Sequence, residues 1–260
     1  MQATAVTSVL VVKKQQERKA TKIDSRAGAM PSSGQPDELL YAEILDAILG
    51  QRLSPGTKLT EEHLGDIFGV SRAVVRRALL RLSHDKVVEM RPNRGAYVTT
   101  LTTEQAREVL SARRLIETEI ARIAADSISP EQIEKLRDVI EQEKDFFNCG
   151  NRASGIRLSG DFHLKLANFA GNATLASFIN SLVPMTSLAI VCFEMPGPEV
   201  CSYDEHFQLL DVLVAGNSAK AADYMNEHLR QLELRLDLGD MESQNDLEAV
   251  FAHVTSRNNP

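Results

Sequence analysis

From Thr102 to about residue 238 no stretch alternates apolar and polar residues, and that limits the fold more than any other feature of the chain. Apolar residues recur there every three to four positions, the spacing that lines one face of an α-helix. The helical patterns cover 103–127, 130–148, 153–170, 173–193, 203–215 and 218–238. Pro130, Gly150, Gly171-Asn172, Pro196-Gly197-Pro198 and Gly216-Asn217 punctuate them. Pro184 falls inside the fourth pattern and is expected to break that helix, because its ring removes a backbone donor. Helices with no sheet to lie on must bury their apolar faces against one another, so residues 101–240 are expected to form one all-α bundle.

The first hundred residues follow a different order. Residues 1–36 lack a sustained period, end in the breaker cluster Met30 to Pro36, and are expected to be a flexible tail; residues 241–260 are expected to be a C-terminal tail. Leu40, Ile44, Ala47 and Ile48 then recur at helical spacing, and that helix stops before Pro55-Gly56. Thr60 is expected to cap a short helix with Glu61 and Glu62 in its first turn and Leu64, Ile67 and Phe68 on its apolar face. Gly69 supplies a left-handed stop, and Ser71 caps a further helix over about 72–84. Val87 to Arg91, the turn Pro92-Asn93-Arg94-Gly95, and Ala96 to Thr99 read as strand, turn, strand. The expected fold is therefore mostly α: a winged helix-turn-helix with a small β-hairpin wing over 37–100, then the helical bundle.

Charge is distributed unevenly over these parts. The chain carries a net −7, but residues 1–36 carry +4, residues 37–100 are neutral, and the remainder carries −11. Residues 71–99 alone hold seven basic and two acidic side chains. On a wheel of 72–82, Val74, Val75, Ala78, Leu79 and Leu82 fall on one arc and Arg72, Arg76, Arg77 and Arg81 on the other. Such a helix has one side for a core and one side of guanidinium groups, which fork onto guanine O6 and N7 in the major groove. Arg72 and Arg76 project from its N-terminal end, where recognition helices meet base edges. Arg77 and Arg81 lie further round and suit phosphates. Double-stranded operator DNA is the expected partner.

Three histidines of the helical part stand out. His206 lies eleven residues before Asn217 and His228 eleven after it, so an antiparallel hairpin about Gly216-Asn217 would hold both imidazoles at one height. His163 interrupts an otherwise apolar helical stripe. Three imidazoles converging inside a bundle would suit Zn²⁺ or another borderline divalent ion. Taken singly, such a histidine is more often a satisfied core or surface residue than a ligand. The three cysteines, Cys149, Cys192 and Cys201, have no metal-like spacing and read as reduced thiols. The longest apolar run near the start, Val9 to Val12, is too short for a signal-peptide core, so a cytoplasmic location is expected.

The residues also carry a resemblance. Leu53-Ser54-Pro55-Gly56-Thr57-Lys58-Leu59, Phe68-Gly69-Val70-Ser71-Arg72, Val75-Arg76-Arg77-Ala78-Leu79, Leu82 and Arg94-Gly95-Ala96-Tyr97-Val98 resemble the GntR family of bacterial regulators. That resemblance implies that Arg72 and Arg76 touch operator bases or flanking phosphates, and that Gly95, beside Arg94, lets the wing tip enter the minor groove. Glu62 departs from it, since FadR-type members often carry a basic residue there. Arg114-Leu115-Ile116-Glu117, Leu158 to Asn172, Glu205-His206 and Glu227-His228-Leu229 are similar to the FadR C-terminal domain, called FCD. In many FCD domains a carboxylate four residues before the first histidine joins three histidines around a metal. Here that position is Ser159, and Asp161 points to roughly the opposite side of the helix.

The resemblance implies a ligand-responsive regulator, commonly a repressor and a homodimer, binding a short palindromic operator and sensing a metabolite in residues 101–240. A small organic acid would suit a metal held by His163, His206 and His228, with Ser159 or water completing the shell. Arg113 or Arg114 would meet its carboxylate, or would pair on the surface with Glu117. The alternative is a helical metal-dependent hydrolase using the same three histidines. Against it, no carboxylate is placed as a general base, no G-x-S-x-G motif occurs, and the basic helix would have no role. A helical interaction module with a vestigial DNA-binding fold is a further alternative.

Overall fold

A computed structural model of the chain describes residues 35–195 and 202–239. But for Gln35 and Pro36, the two expected tails lie outside these residues, as do the Pro196-Gly197-Pro198 break and Cys201. The described residues comprise nine helices and three short strands.

Helix α1, Pro36–Leu49, starts on a proline whose missing N–H costs nothing in a first turn, and it buries Leu40, Ile44, Leu45, Ile48 and Leu49. The strand β1, Lys58–Leu59, leads into α2, Glu61–Phe68. Thr60 occupies the N-cap position of α2, but its hydroxyl makes no capping bond; Glu61 and Glu62 are left to oppose the helix dipole. Gly69 ends α2 at φ 65° and Ser71 Oγ accepts from Val74 N, so the turn into α3, Arg72–His84, is built as expected. Val75, Ala78, Leu79 and Leu82 of α3 are buried while all four of its arginines are exposed.

β2, Val88–Arg91, and β3, Gly95–Val98, form the wing. Asn93 at φ 59° and Gly95 at φ 94° turn the chain between them. The sheet has a third strand that periodicity did not reveal: β1 pairs antiparallel with β3, Lys58 opposite Tyr97 and Leu59 opposite Ala96, giving the order β1-β3-β2. Two residues are too few to carry an alternating signal, and the pairing is decided across nearly forty residues of chain.

Six helices follow: α4, Thr103–Ser127; α5, Pro130–Asn148; α6, Arg152–Phe169; α7, Ala173–Phe193; α8, Ser202–Val214; and α9, Ser218–Leu234. Reciprocal capping boxes start α4 (Thr102 with Gln105) and α5 (Ser129 with Gln132), satisfying two orphan donors at each end. α4 packs on α9 and α7, α5 on α6 and α8, and α6 on α7. α7 is apolar and long enough to span a membrane by composition, yet it packs against α1, α4 and α6.

Two expectations are corrected here. Pro184 does not break α7, which runs unbroken through it. The carbonyl deprived of its donor belongs to Asn180, an exposed residue that water can reach, and packing of Ile179, Val183 and Leu188 on either side holds the axis. α9 ends at Leu234 rather than near 238, because the following backbone turns to α7: Asp237 N donates to Phe193 O, and Met195 N to Arg235 O.

Gly160 lets α6 approach α7. A Cβ there would stand 2.9 Å from Cγ1 of Val183, a β-branched side chain with little rotamer freedom. Overpacking costs about 1–3 kcal/mol, offset by roughly 1 kcal/mol of helix propensity gained over glycine. Gly160→Ala is therefore expected to lower unfolding free energy by up to about 2 kcal/mol in urea titrations. In a Val183→Ala background the same change should be neutral or stabilising; an equal loss in both backgrounds would refute the contact.

Candidate nucleic-acid interface and buried histidine centre

The arginines of α3 divide into two pairs. Arg72 Nη2 donates to Glu62 of α2 at 2.7 Å, and Arg76 forks onto both oxygens of Glu61 at 2.7 and 2.8 Å. Further along, Arg77 reaches Asp37 at 3.1 Å and Arg81 reaches Glu38 at 3.4 Å, both on α1, and Arg81 also lies over the Tyr41 ring. All four guanidinium groups remain more than half exposed, so these pairs are worth little as stability and are open to exchange with another anion. Arg94 stands exposed at the wing tip beside Gly95, with no ion-pair partner among the described residues. The surface thus offers a helix end and a hairpin tip, both cationic and joined by β1 and α2.

The second site is interior. His163 on α6, His206 on α8 and His228 on α9 are all buried, and one ring nitrogen from each lies within 4.8 Å of the others. Ring centroids are 4.9 to 5.3 Å apart, and Phe162 stacks on His206 at 4.3 Å. Each imidazole is backed by a glutamate from another helix. His206 Nδ1 lies 2.8 Å from Glu143 on α5, and His228 Nδ1 lies 2.6 Å from Glu205 on α8. His163 Nδ1 lies 2.5 Å from Glu117 on α4, at an angle poor for a hydrogen bond. A carboxylate can only accept, so it holds the proton of the ring on Nδ1 and leaves Nε2 as a lone pair. Nε2 of both His206 and His228 is buried without a hydrogen-bond partner. Donor set, convergence and orphaned nitrogens fit a divalent ion of the Zn²⁺ kind.

Burial keeps two of these rings, His163 and His228, neutral. Burial pushes His163 down to about 3, against the pull of Glu117, and burial likewise lowers His228. Burial opposes ionisation of Glu117, but Arg113 and His163 hold it well below the usual carboxylate range. Glu205 is lowered in the same way, burial being outweighed by His228 and Arg235. Neutral imidazoles and charged carboxylates are the states a metal site requires.

Arg113 is not on the surface, as a Glu117 pair was expected to be: it is 2% exposed and its Nε meets Glu117 in the interior. Its Nη2 is buried without a partner among the described residues. Arg114, by contrast, pairs with Glu233 at 3.0 Å on the flank between α4 and α9 and is not part of the histidine network. Ser159 is half-buried one turn before His163, while Asp161 pairs with Arg157. The three backing glutamates were missed in the sequence. Only Glu205, adjacent to His206, had a local signal; Glu143 arrives from a helix 63 residues away.

Depressed histidines tie stability to pH. An unfolded chain protonates at the ordinary 6.5, whereas folded His163 resists protonation until about 3, so falling pH favours the unfolded state throughout that window. Glu117, lowered on folding, adds a loss below the ordinary 4.5. The melting temperature is expected to start falling once pH drops below 6.5, and His163→Gln should flatten that first part of the profile; an unchanged slope would contradict the neutral-imidazole assignment.

Comparison with known proteins assigns both parts of the chain to described domains. Residues 36–98 match the profile described as bacterial regulatory proteins, gntR family, and residues 108–231 match the FCD domain. The HTH-type transcriptional repressor RspR of Escherichia coli is 25% identical over 197 residues, covering 75% of this chain and 86% of that protein. The HTH-type transcriptional regulator LutR of Bacillus subtilis is 28% identical over 203 residues, covering 70% and 92%. Among solved structures, E. coli McbR/YncC shares the fold at a TM-score of 0.64 and 19% identity, over 76% of this chain and 95% of that one. A GntR regulator from Rhodococcus sp. RHA1 does so at 0.60 and 20%, with the same coverage. The relatives are regulators rather than enzymes, and a hydrolase reading finds no support among them. With its two profile matches together spanning well over half its length, the chain belongs to the GntR family of bacterial transcription regulators and carries an FCD ligand-sensing domain.

Proposed function

We propose that this regulator is a cytoplasmic homodimeric repressor of a short palindromic operator, released or tightened by a small organic acid sensed beside a metal held by His163, His206 and His228. The observation that carries the sensing half is the pair of buried, unpartnered Nε2 atoms, each on a ring whose other nitrogen a glutamate already holds. Burying such groups unmatched costs free energy, and a bound cation removes the cost. When present, a Zn²⁺-like ion would supply a Lewis-acidic position for a carboxylate oxygen. The buried, unpartnered Nη2 of Arg113 offers a second handle of the right sign for an organic acid.

α6 gives a route from this centre to the DNA-binding part. It carries His163 on its buried face and Arg157 on the face toward α1, where Arg157 meets Asp46 at 3.1 Å. Gln51, just beyond α1, donates to Val191 O of α7 at 2.7 Å. α1 in turn carries Asp37 and Glu38, the partners of Arg77 and Arg81. An effector that prefers one placement of α6 therefore biases where the two winged parts of a dimer stand. Exposed apolar side chains such as Leu115 and Phe178 on the helical part suit a second copy of the chain.

On the DNA side, Arg72→Ala and Arg76→Ala are each expected to weaken specific operator binding by about 1–3 kcal/mol in gel-shift titrations. Unchanged affinity in both would remove α3 as the reading helix. On the sensing side, elemental analysis of the purified native protein should find a divalent metal that is lost from His206→Ala while operator binding persists. Metal retained at native stoichiometry in that variant would remove the three-histidine site.

A further inference from the structure

Among the carboxylates paired with α3, Glu61 and Glu62 differ in a way that matters for reading DNA. Glu61 is three-quarters covered and doubly tied to Arg76, whereas Glu62 is 71% exposed and holds Arg72 by one bond of 2.7 Å. Arg72 is the first residue of α3 and Glu62 the second of α2, so the pair spans the helix-turn-helix at the end where base edges are met. As a stabilising contact so exposed a pair is worth little. Beside phosphates, however, a bare carboxylate is repelled unless a hydrogen-bond donor answers it. In the major groove the donors are the exocyclic amines, cytosine N4 and adenine N6.

A guanine–cytosine pair shows acceptors N7 and O6 on the purine and, next to O6, the N4 donor on the pyrimidine. That pattern complements a guanidinium and a carboxylate held side by side. We propose that Arg72 and Glu62 act as one reading unit for a G·C pair in each operator half-site, Arg72 on the guanine and Glu62 accepting from N4 of the cytosine. Glu62 is then a specificity residue: it contributes by penalising every base that offers no donor at that place. The assignment rests on the DNA-binding function of the winged part and adds to it the identity of one base pair.

The test is selection of the full-length protein on a randomised duplex library, wild type beside Glu62→Ala, followed by titration of the best duplex and of its single-pair variants. Wild type should require one C·G pair at a fixed place in each half-site, its replacement by T·A weakening binding about tenfold or more. In Glu62→Ala that penalty should shrink at this pair alone, to the part that Arg72 still exacts for the lost guanine, with every other preference kept. An unchanged preference in Glu62→Ala would overturn the proposal, as would a uniform gain in affinity for all sequences, which marks simple repulsion from phosphates. If wild type enriches no sequence, α3 does not read bases and both assignments fall; if it enriches a motif insensitive to Glu62, only the present one does.

Discussion

A buried imidazole has two ring nitrogens, and in an apolar bundle each needs a partner. His163, His206 and His228 meet half of that constraint by taking one carboxylate each, from α4, α5 and α8, so that three of the bundle's helix contacts run through charged groups rather than apolar ones. Carboxylates in such a place are themselves held by Arg113 and Arg235, which draws further polar atoms inward. Removing one member of a set like this strands a charge, which costs about 3–5 kcal/mol. The bundle is therefore organised as a polar centre inside an apolar shell, and its rings are posed with nitrogens facing inward.

The winged part uses opposite physics. Its core is small and apolar, with Val75, Leu79, Leu82 and Val98 fully covered, and its charges lie outside in pairs that water keeps weak. Weak pairs are what an operator-reading surface needs, since each guanidinium must leave its carboxylate or carry it along when DNA arrives. α1 connects the two regimes, because it packs on α3 with one face and meets α6 with another. Any shift of α6 would therefore meet a helix that touches two of the four α3 arginines.

Much of this was legible along the chain because helices advertise themselves locally. The two-faced wheel of 72–82, the Ser71 cap, the Gly69 stop and the boundaries of α4, α5 and α7 all follow from neighbours within a turn or two. The equal spacing of His206 and His228 about Asn217 fixed their common height once the hairpin closed, and left the rotation of each helix open. Where local rules failed, a longer-range contact had overruled them. Pro184 lacks a donor, yet packing on both sides carries α7 through; residues 235–238 continue a helical period, yet Asp237 N and Arg235 O are bonded to Phe193 and Met195.

Composition and periodicity by themselves determined the order of the helices, the cationic face of α3 and the apolar stripe that carries His163, because each depends on side chains close in sequence. Only the tertiary structure decided that β1 would complete the sheet, that Arg113 would be buried while Arg114 turned to Glu233, and that Glu117 and Glu143 would stand behind His163 and His206. Those outcomes turn on the rotation of each helix about its own axis and on partners brought in from distant parts of the chain. Such rotations are set by how neighbouring helices pack, and no local pattern of residues encodes them.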